Sequence, residues 1–169
     1  MEFKQFQFLV GSMFAPGEDG RPRERYADVS TDALHPLVLA YVGDAYFSLY
    51  VRVRLLSFEQ NKVRVLHRFG AQIVSAVWQS EAYRALEAML TDEEREVFRR
   101  GRNAKSHAPR SSSVAEYRAS TGFEALLGAL YLDGKTQRLE QLAEAAFGYI
   151  AQSMMQAAEE KQEERGETR

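Results

Sequence analysis

Two apolar segments each carry one carboxylate close to a glycine, and this pattern restricts how the chain can fold. Asp44 follows Gly43 within the stretch LVLAYVGDAYFSLYV. Glu124 precedes Gly128 by one helical turn within the stretch GFEALLGALYL. Glycine inside a helix is less stable than alanine by roughly 1 kcal/mol, so its presence indicates that two backbones approach closely there. Helices that cross at these glycines could bring both acids to one place.

An unpaired carboxylate in apolar surroundings is unfavourable by roughly several kcal/mol unless it meets water, a hydrogen-bond donor or a cation. A hard metal ion is the simplest partner that Asp44 and Glu124 could share. For one acid alone, a helix residue that faces solvent or an arginine explains the sequence better. For the pair, both interpretations stay open, because isolated acids in apolar settings cluster at functional sites.

Apolar residues recur at helical spacing after residue 30 without a competing strand pattern, so we predict an all-α domain. The stretch 37–55 is apolar nearly all round, as is typical of a central buried helix. A second helical region is predicted over 62–89, with a break around 79–82.

Capping boxes predict where two later helices begin. Thr91 is followed by Glu94, and Ser113 is followed by Glu116 at the start of the helix that carries the second acid. Gly134 is expected to end that helix. A last helix then follows, with an apolar stripe made of Leu139, Leu142, Ala146, Ile150 and Met154.

The two ends of the chain differ in composition from its centre. Residues 1–28 contain a short alternating stretch, FQFLV, and then several prolines and glycines, which predicts a partly irregular N-terminal arm with a short strand. We assign residues 29–156 to the helical domain and residues 157–169 to a charged, disordered tail.

The sequence lacks several features, and their absence limits the class of protein to which the chain can belong. There is no cysteine, so disulfides, iron–sulfur clusters and thiolate zinc sites are excluded. The three histidines, His35, His67 and His107, lack the spacing of zinc ligands. The N-terminus has no uninterrupted apolar stretch of the signal-peptide kind, so we expect a soluble, cytoplasmic protein.

Positive charge is concentrated between residues 99 and 118, although the net charge of the whole chain is −2. The segment has one acid, Glu116, and these bases: Arg99, Arg100, Arg102, Lys105, Arg110 and Arg118. Such a surplus in a loop suits phosphate binding. A solvated loop flanked by helix-terminal arginines explains it equally well.

Three segments together resemble the catalytic domain of the ribonuclease III family. YVGDA, residues 41–45, is similar to part of the family's signature helix, and FEALLGALYLDG, residues 123–134, is similar to its second acidic helix. RGRNAK, residues 100–105, is similar to the loop between them. The resemblance is nearest to the short Mini-III branch. The chain ends soon after its last predicted helix, so we expect no double-stranded-RNA-binding domain.

This chain departs from the longer members of the family at two positions. They have a glutamate one turn before the signature aspartate and an aspartate three residues before the final glutamate. Ala40 and Thr121 stand at those places here, and Mini-III members are similar. Two of the four usual carboxylates are therefore missing, which leaves the number of metal ions open.

The resemblance implies a ribonuclease III-like helical bundle that acts as a homodimer and cleaves double-stranded RNA, leaving 5′-phosphate ends. It implies that Asp44 and Glu124 are catalytic and bind Mg²⁺ or Mn²⁺. The residues expected to hold RNA phosphates are Arg99, Arg102, Asn103, Lys105 and Arg110. The implied substrate is precursor 23S ribosomal RNA, and a ribosomal protein is a candidate helper.

Two other functions compete with this one. The first is a non-catalytic RNA-binding or ribosome-associated protein that keeps the fold, which Ala40 and Thr121 favour. The second is a helical interaction protein with no role in RNA metabolism.

Overall fold

The chain is helical in every regular element of the part that the structure describes. The computed structural model describes residues 3–13, 17–21, 29–105 and 112–167, with side chains up to residue 160. All regular elements in these ranges are α-helices or short 3-10 helices, which confirms the predicted all-α class.

The chain divides into two compact units, Met1–Ala33 and Leu34–Arg169. In the first unit, α1 spans Phe3–Met13, so the predicted N-terminal strand is wrong. The apolar residues there fit helical spacing (Phe3, Phe6, Val10) as well as alternation, and a strand also needs a partner to complete its hydrogen bonds.

The second unit contains six α-helices among its described residues. They are α2 (Pro36–Leu55), α3 (Val63–Ile73), α4 (Ala76–Leu86), α5 (Asp92–Asn103), α6 (Val114–Leu132) and α7 (Thr136–Glu167). None of the described helices is long and apolar enough to cross a lipid bilayer.

Local signals in the sequence set several helix ends. The capping boxes of Thr91 with Glu94 and of Ser113 with Glu116 are both present, which confirms the predicted starts of α5 and α6. Gly134 has a φ of +69°, a left-handed conformation that ends α6 as predicted.

Two predicted boundaries are wrong. The break in the second helical region lies at Val74 and Ser75, whereas residues 79–82 lie inside α4. The C-terminal tail predicted from residue 157 is helical, because α7 continues through Glu167. This tail is rich in alanine, glutamate, glutamine, lysine and arginine, which favour helix even where no core is available.

The central helix is α6, and the prediction that α2 would be central is wrong. Ten of the 19 residues of α6 are buried, compared with six of the 20 residues of α2. Phe123 on α6 meets Phe47 on α2 edge to face, with ring centroids 5.5 Å apart. The predicted stripe of α7 packs on the same core through Leu142 and Ile150.

Helices α2 and α6 cross with their backbones in direct contact, as the two glycines predict. A Cβ atom on Gly43 would lie 1.8 Å from the carbonyl oxygen of Glu124. A Cβ atom on Gly128 would lie 1.9 Å from the carbonyl oxygen of Leu39. Any larger residue at either position must therefore force the helices apart.

We predict that Gly43→Ala and Gly128→Ala each lower the free energy of unfolding by about 2–4 kcal/mol, because the added methyl group overlaps backbone atoms. Chemical denaturation measures the change. Gly148 in α7 is the matched control, because a Cβ there meets nothing within 4 Å. Gly148→Ala should stabilise the protein by about 0.5–1 kcal/mol through helix propensity alone. Equal effects at Gly43 and Gly148 would contradict the close crossing.

Candidate functional site

Asp44 and Glu124 line one cavity of about 690 Å³ beside the crossing of α2 and α6. Asp44 directly follows Gly43, and the carbonyl of Glu124 is the atom that a side chain on Gly43 would strike. The wall opposite the two helices comes from the end of α3 and the start of α4, including Ser75 and Ala76. The structure therefore brings the two sequence-predicted acids into one site.

The two acids differ in their surroundings. Asp44 is exposed, so the expectation that it would be enclosed by apolar groups is wrong in this chain. Ser48, one turn later on α2, donates a long hydrogen bond of 3.5 Å to Asp44 Oδ1. Glu124 is partly buried and accepts a hydrogen bond of 3.1 Å from Gln79 Nε2.

Burial, and after it the negative charge of Asp44, raise the pKa of Glu124 to about 8. The hydrogen bond from Gln79 acts in the opposite direction and lowers that pKa. The two carboxylates repel each other in this shared cavity. A bound cation would stabilise their ionised forms, because its positive charge offsets the repulsion.

The residues at the two positions that lack a carboxylate also line this cavity. Ala40 and Thr121 are 6% and 4% exposed. The Thr121 hydroxyl donates a hydrogen bond of 2.9 Å to the carbonyl of Tyr117. The described residues contain no group of three or more His, Cys, Asp or Glu that could hold a metal ion. The site therefore offers a cation two carboxylates and room for water, which suits Mg²⁺.

A second cavity, of about 420 Å³, is lined by four arginines from α4 and α5. They are Arg84, Arg95, Arg99 and Arg102. Arg95 pairs with Asp92 at 2.7 Å, and Arg99 pairs with Glu96 at 2.7 Å. Neither of the other two, Arg84 and Arg102, makes a hydrogen bond or an ion pair with another described residue, although the charge of Arg84 acts on Glu116 at the start of α6.

None of the described residues that were predicted to hold RNA lines the cavity of the two acids. Arg99 and Arg102 line the arginine cavity, Asn103 and Lys105 are exposed at the end of α5, and Arg110 lies outside the described residues. The arginine cavity touches α6 at Ala115 and Ala119. At about 100° per residue, these alanines lie on roughly the opposite side of α6 from Glu124.

Sequence reasoning missed Gln79 and Arg84. Gln79 is 1% exposed and contacts Glu124, but a polar residue in that region was interpreted as part of a helix break. Its position on the apolar side of α4, next to Ala82 and Tyr83, was the available signal. Arg84 lies 15 residues before Arg99, and the two line one cavity because α4 and α5 both pack on α6.

Comparison with known proteins gives consistent results. Residues 37–135, more than half of the chain, match the model of the ribonuclease III domain. The chain is 49% identical over 118 residues to a Mini-ribonuclease 3 from Symbiobacterium thermophilum, which covers 69% of this chain and 91% of that protein. A Mini-ribonuclease 3 from Thermoanaerobacter sp. (strain X514) is 42% identical over 119 residues, covering 70% of this chain and 84% of that protein.

A solved structure has the same fold. The crystal structure of protein FN1578 from Fusobacterium nucleatum superposes with a TM-score of 0.61 at 32% sequence identity, covering 66% of this chain and 90% of that chain. The matched residues of the domain model include α2 and α6 with both acids. On this evidence the chain belongs to the ribonuclease III family, in its Mini-ribonuclease 3 branch, and is an endoribonuclease.

Proposed function

We propose that this endoribonuclease hydrolyses double-stranded RNA with a divalent cation, Mg²⁺ or Mn²⁺, held by Asp44 and Glu124. The observation that carries the proposal is the shared cavity, in which Asp44 helps to raise the pKa of Glu124 to about 8. When bound, such a cation makes a water molecule more acidic and neutralises charge on the phosphate.

The two acids have complementary roles in this proposal. Glu124, on α6 and partly buried, would be the first carboxylate to hold the cation, and it would do so in its deprotonated form. Asp44 is exposed on α2 and contributes the second carboxylate at the open side of the cavity. Two protein ligands leave the remaining coordination positions to water and to the phosphate, as in many magnesium sites.

RNA phosphates are proposed to contact the basic residues at the end of α5. Arg102 is without an ion-pair partner among the described residues, and Lys105 is exposed two residues after the end of the helix. Arg99, Asn103 and Arg110 complete the proposed set. Contacts of this kind position a duplex by its backbone and do not read its bases.

A homodimer would supply one site for each strand of a duplex. Its support is a stripe of exposed apolar residues along α2 and the residue that follows its C-terminus, at spacings of seven, four, four and three residues. The stripe contains Val38, Ala45, Leu49, Val53 and Leu56. Sedimentation velocity tests the assembly: Leu49→Glu should give a monomer, Met155→Glu on α7 should not, and a monomeric parent protein would contradict the proposal.

Precursor 23S ribosomal RNA is the proposed substrate, with a ribosomal protein as a candidate helper. The similarity to Mini-ribonuclease 3 proteins supports this choice. Cleavage of a precursor transcript can be compared with cleavage of a plain duplex, with and without ribosomal proteins. Equal cleavage rates for the precursor transcript and the plain duplex, with and without ribosomal proteins, would argue against a dedicated ribosomal substrate.

We predict that Asp44→Asn and Glu124→Gln each lower the rate of duplex cleavage by on the order of 1,000-fold, because each removes a charged ligand of the cation. The folded state and duplex binding should be retained. Single-turnover cleavage, circular dichroism and filter binding measure the three properties. Glu140→Gln, at an exposed position on α7, is the charge-matched control. Full activity in either site variant would exclude that residue as a ligand.

We predict that Glu124→Gln stabilises the metal-free protein increasingly as pH rises from 5 to 9. The folded protein keeps a proton on Glu124 up to a pKa of about 8, whereas the unfolded chain loses it near 4.5. Stability of the parent protein therefore falls between these two values, and the amide variant lacks this loss. The difference should be small at pH 5 and on the order of a few kcal/mol at pH 9.

Urea denaturation at both pH values measures this difference, and a pH-independent difference would contradict it. Adding Mg²⁺ at pH 9 should raise the stability of the parent protein, because cation binding to the folded state compensates the two charges. The same addition should have little effect on Glu124→Gln.

We predict that replacing Arg102 and Lys105 together with glutamine weakens duplex binding and reduces the salt dependence of the binding constant. Each lost phosphate contact should flatten the log–log slope by about one. Binding is measured in a Glu124→Gln background, so that the RNA stays intact. Lys135→Gln is the control, because Lys135 pairs with Asp133 at 3.2 Å in the turn after α6. An unchanged slope in the double variant would exclude this surface.

A further inference from the structure

Gln79 is a buried polar residue that joins three parts of the site. It lies on α4 and is 1% exposed. Its Nε2 donates one hydrogen bond of 2.8 Å to the carbonyl of Val74, at the C-terminus of α3. The same nitrogen donates a second hydrogen bond of 3.1 Å to Glu124 Oε1 on α6. Each of the two amide hydrogens of Gln79 therefore takes part in one hydrogen bond.

The chemistry of its neighbours fixes which way the Gln79 amide points. The Val74 carbonyl can only accept a hydrogen bond, whether or not Glu124 carries a proton. Rotating the amide by 180° would bring its oxygen against the carbonyl oxygen of Val74, which now accepts a hydrogen bond of 2.8 Å from Nε2. The NH₂ group therefore faces Glu124, and the amide has one stable orientation.

This orientation leaves the other end of the amide without a partner. Gln79 Oε1 is buried and accepts no hydrogen bond from any residue that the structure describes. A buried polar atom without a partner destabilises the folded protein, and an apolar residue of similar size would avoid that loss. The glutamine is therefore best explained by what its nitrogen does for Glu124.

We propose that Gln79 is a positioning residue that holds one oxygen of Glu124 and leaves the other for a divalent cation shared with Asp44. The proposal rests on the proposed function, in which Glu124 is a metal ligand. A glutamate side chain rotates about three bonds, and a hydrogen bond from a rigid, buried amide restricts that freedom before the cation arrives. Groups that orient metal ligands in this way typically change metal affinity by about 10–100-fold when they are replaced.

The experiment replaces Gln79 with methionine, which has a similar length and no donor, and compares Mn²⁺ binding with the parent protein by electron paramagnetic resonance. Gln79→Met should bind Mn²⁺ about 10–100-fold more weakly. Its melting temperature without metal should fall only slightly, because the loss of the hydrogen bond to the Val74 carbonyl is offset by the removal of the orphan oxygen. The Mg²⁺ concentration that gives half-maximal cleavage should rise by a similar factor, while saturating Mg²⁺ restores most of the rate.

Ser80→Ala is the matched control, because Ser80 is the neighbouring buried residue and its hydroxyl has no hydrogen-bond partner, Glu124 included, in the part of the chain that the structure describes. Mn²⁺ binding should not change in this variant. Gln79→Leu repeats the measurement if the methionine variant does not fold. Unchanged Mn²⁺ affinity in the folded Gln79 variants would overturn the proposal, and a lower melting temperature with unchanged affinity would reduce Gln79 to a structural link between helices.

Failure of the proposed function gives a different result. If the proposed function is wrong, the parent protein itself should bind no Mn²⁺, and its cleavage of RNA should not depend on divalent cations. That result would overturn the metal site and the role of Gln79 together. Normal binding by the parent and by Gln79→Met would overturn only the role of Gln79.

Discussion

The direct contact between the backbones of α2 and α6 determines the rest of the site. Gly43 lies against the carbonyl of Glu124, so one acid-bearing residue touches the glycine that precedes the other acid. The separation of the two carboxylates therefore depends on main-chain packing, which is stiff, and not only on side-chain rotation. A site built this way is present before a cation binds, and its geometry persists as long as the two helices remain in contact.

That preformed geometry has an electrostatic consequence. Holding Glu124 in a partly buried position near Asp44 raises its pKa, so the metal-free protein stores an unfavourable interaction at neutral and higher pH. Ala40 and Thr121 also line the cavity and add no further charge to it. With only two carboxylates, the cavity has less repulsion between charges when it is empty, and it offers fewer protein ligands to a bound cation. The proposed cation would therefore keep more of its water.

The sequence predicted the parts of the fold that depend on local chemistry. The crossing could be inferred from Gly43 and Gly128, because glycine inside a helix needs a packing reason, and the capping boxes fixed the starts of α5 and α6. It did not predict Gln79, because a polar residue interrupts the apolar spacing of a helix, and its partner on a distant helix cannot be read from the sequence. The arginine cavity was missed for a similar reason, since it joins α4 to α5.

The signature segment of α2 can now be explained residue by residue. Gly43, Asp44 and Ala45 are consecutive, so in a helix they point about 100° apart. Gly43 is buried against α6, Asp44 lines the cavity, and Ala45 is exposed within the apolar stripe that we assign to the dimer interface. One helix thus presents a face that packs on α6, a face that carries Asp44 into the cavity, and the face proposed for the dimer interface. Insertion of a single residue before Gly43 would rotate the helix by about 100° and misplace all three faces at once, so neither the length nor the register of α2 can vary independently of function.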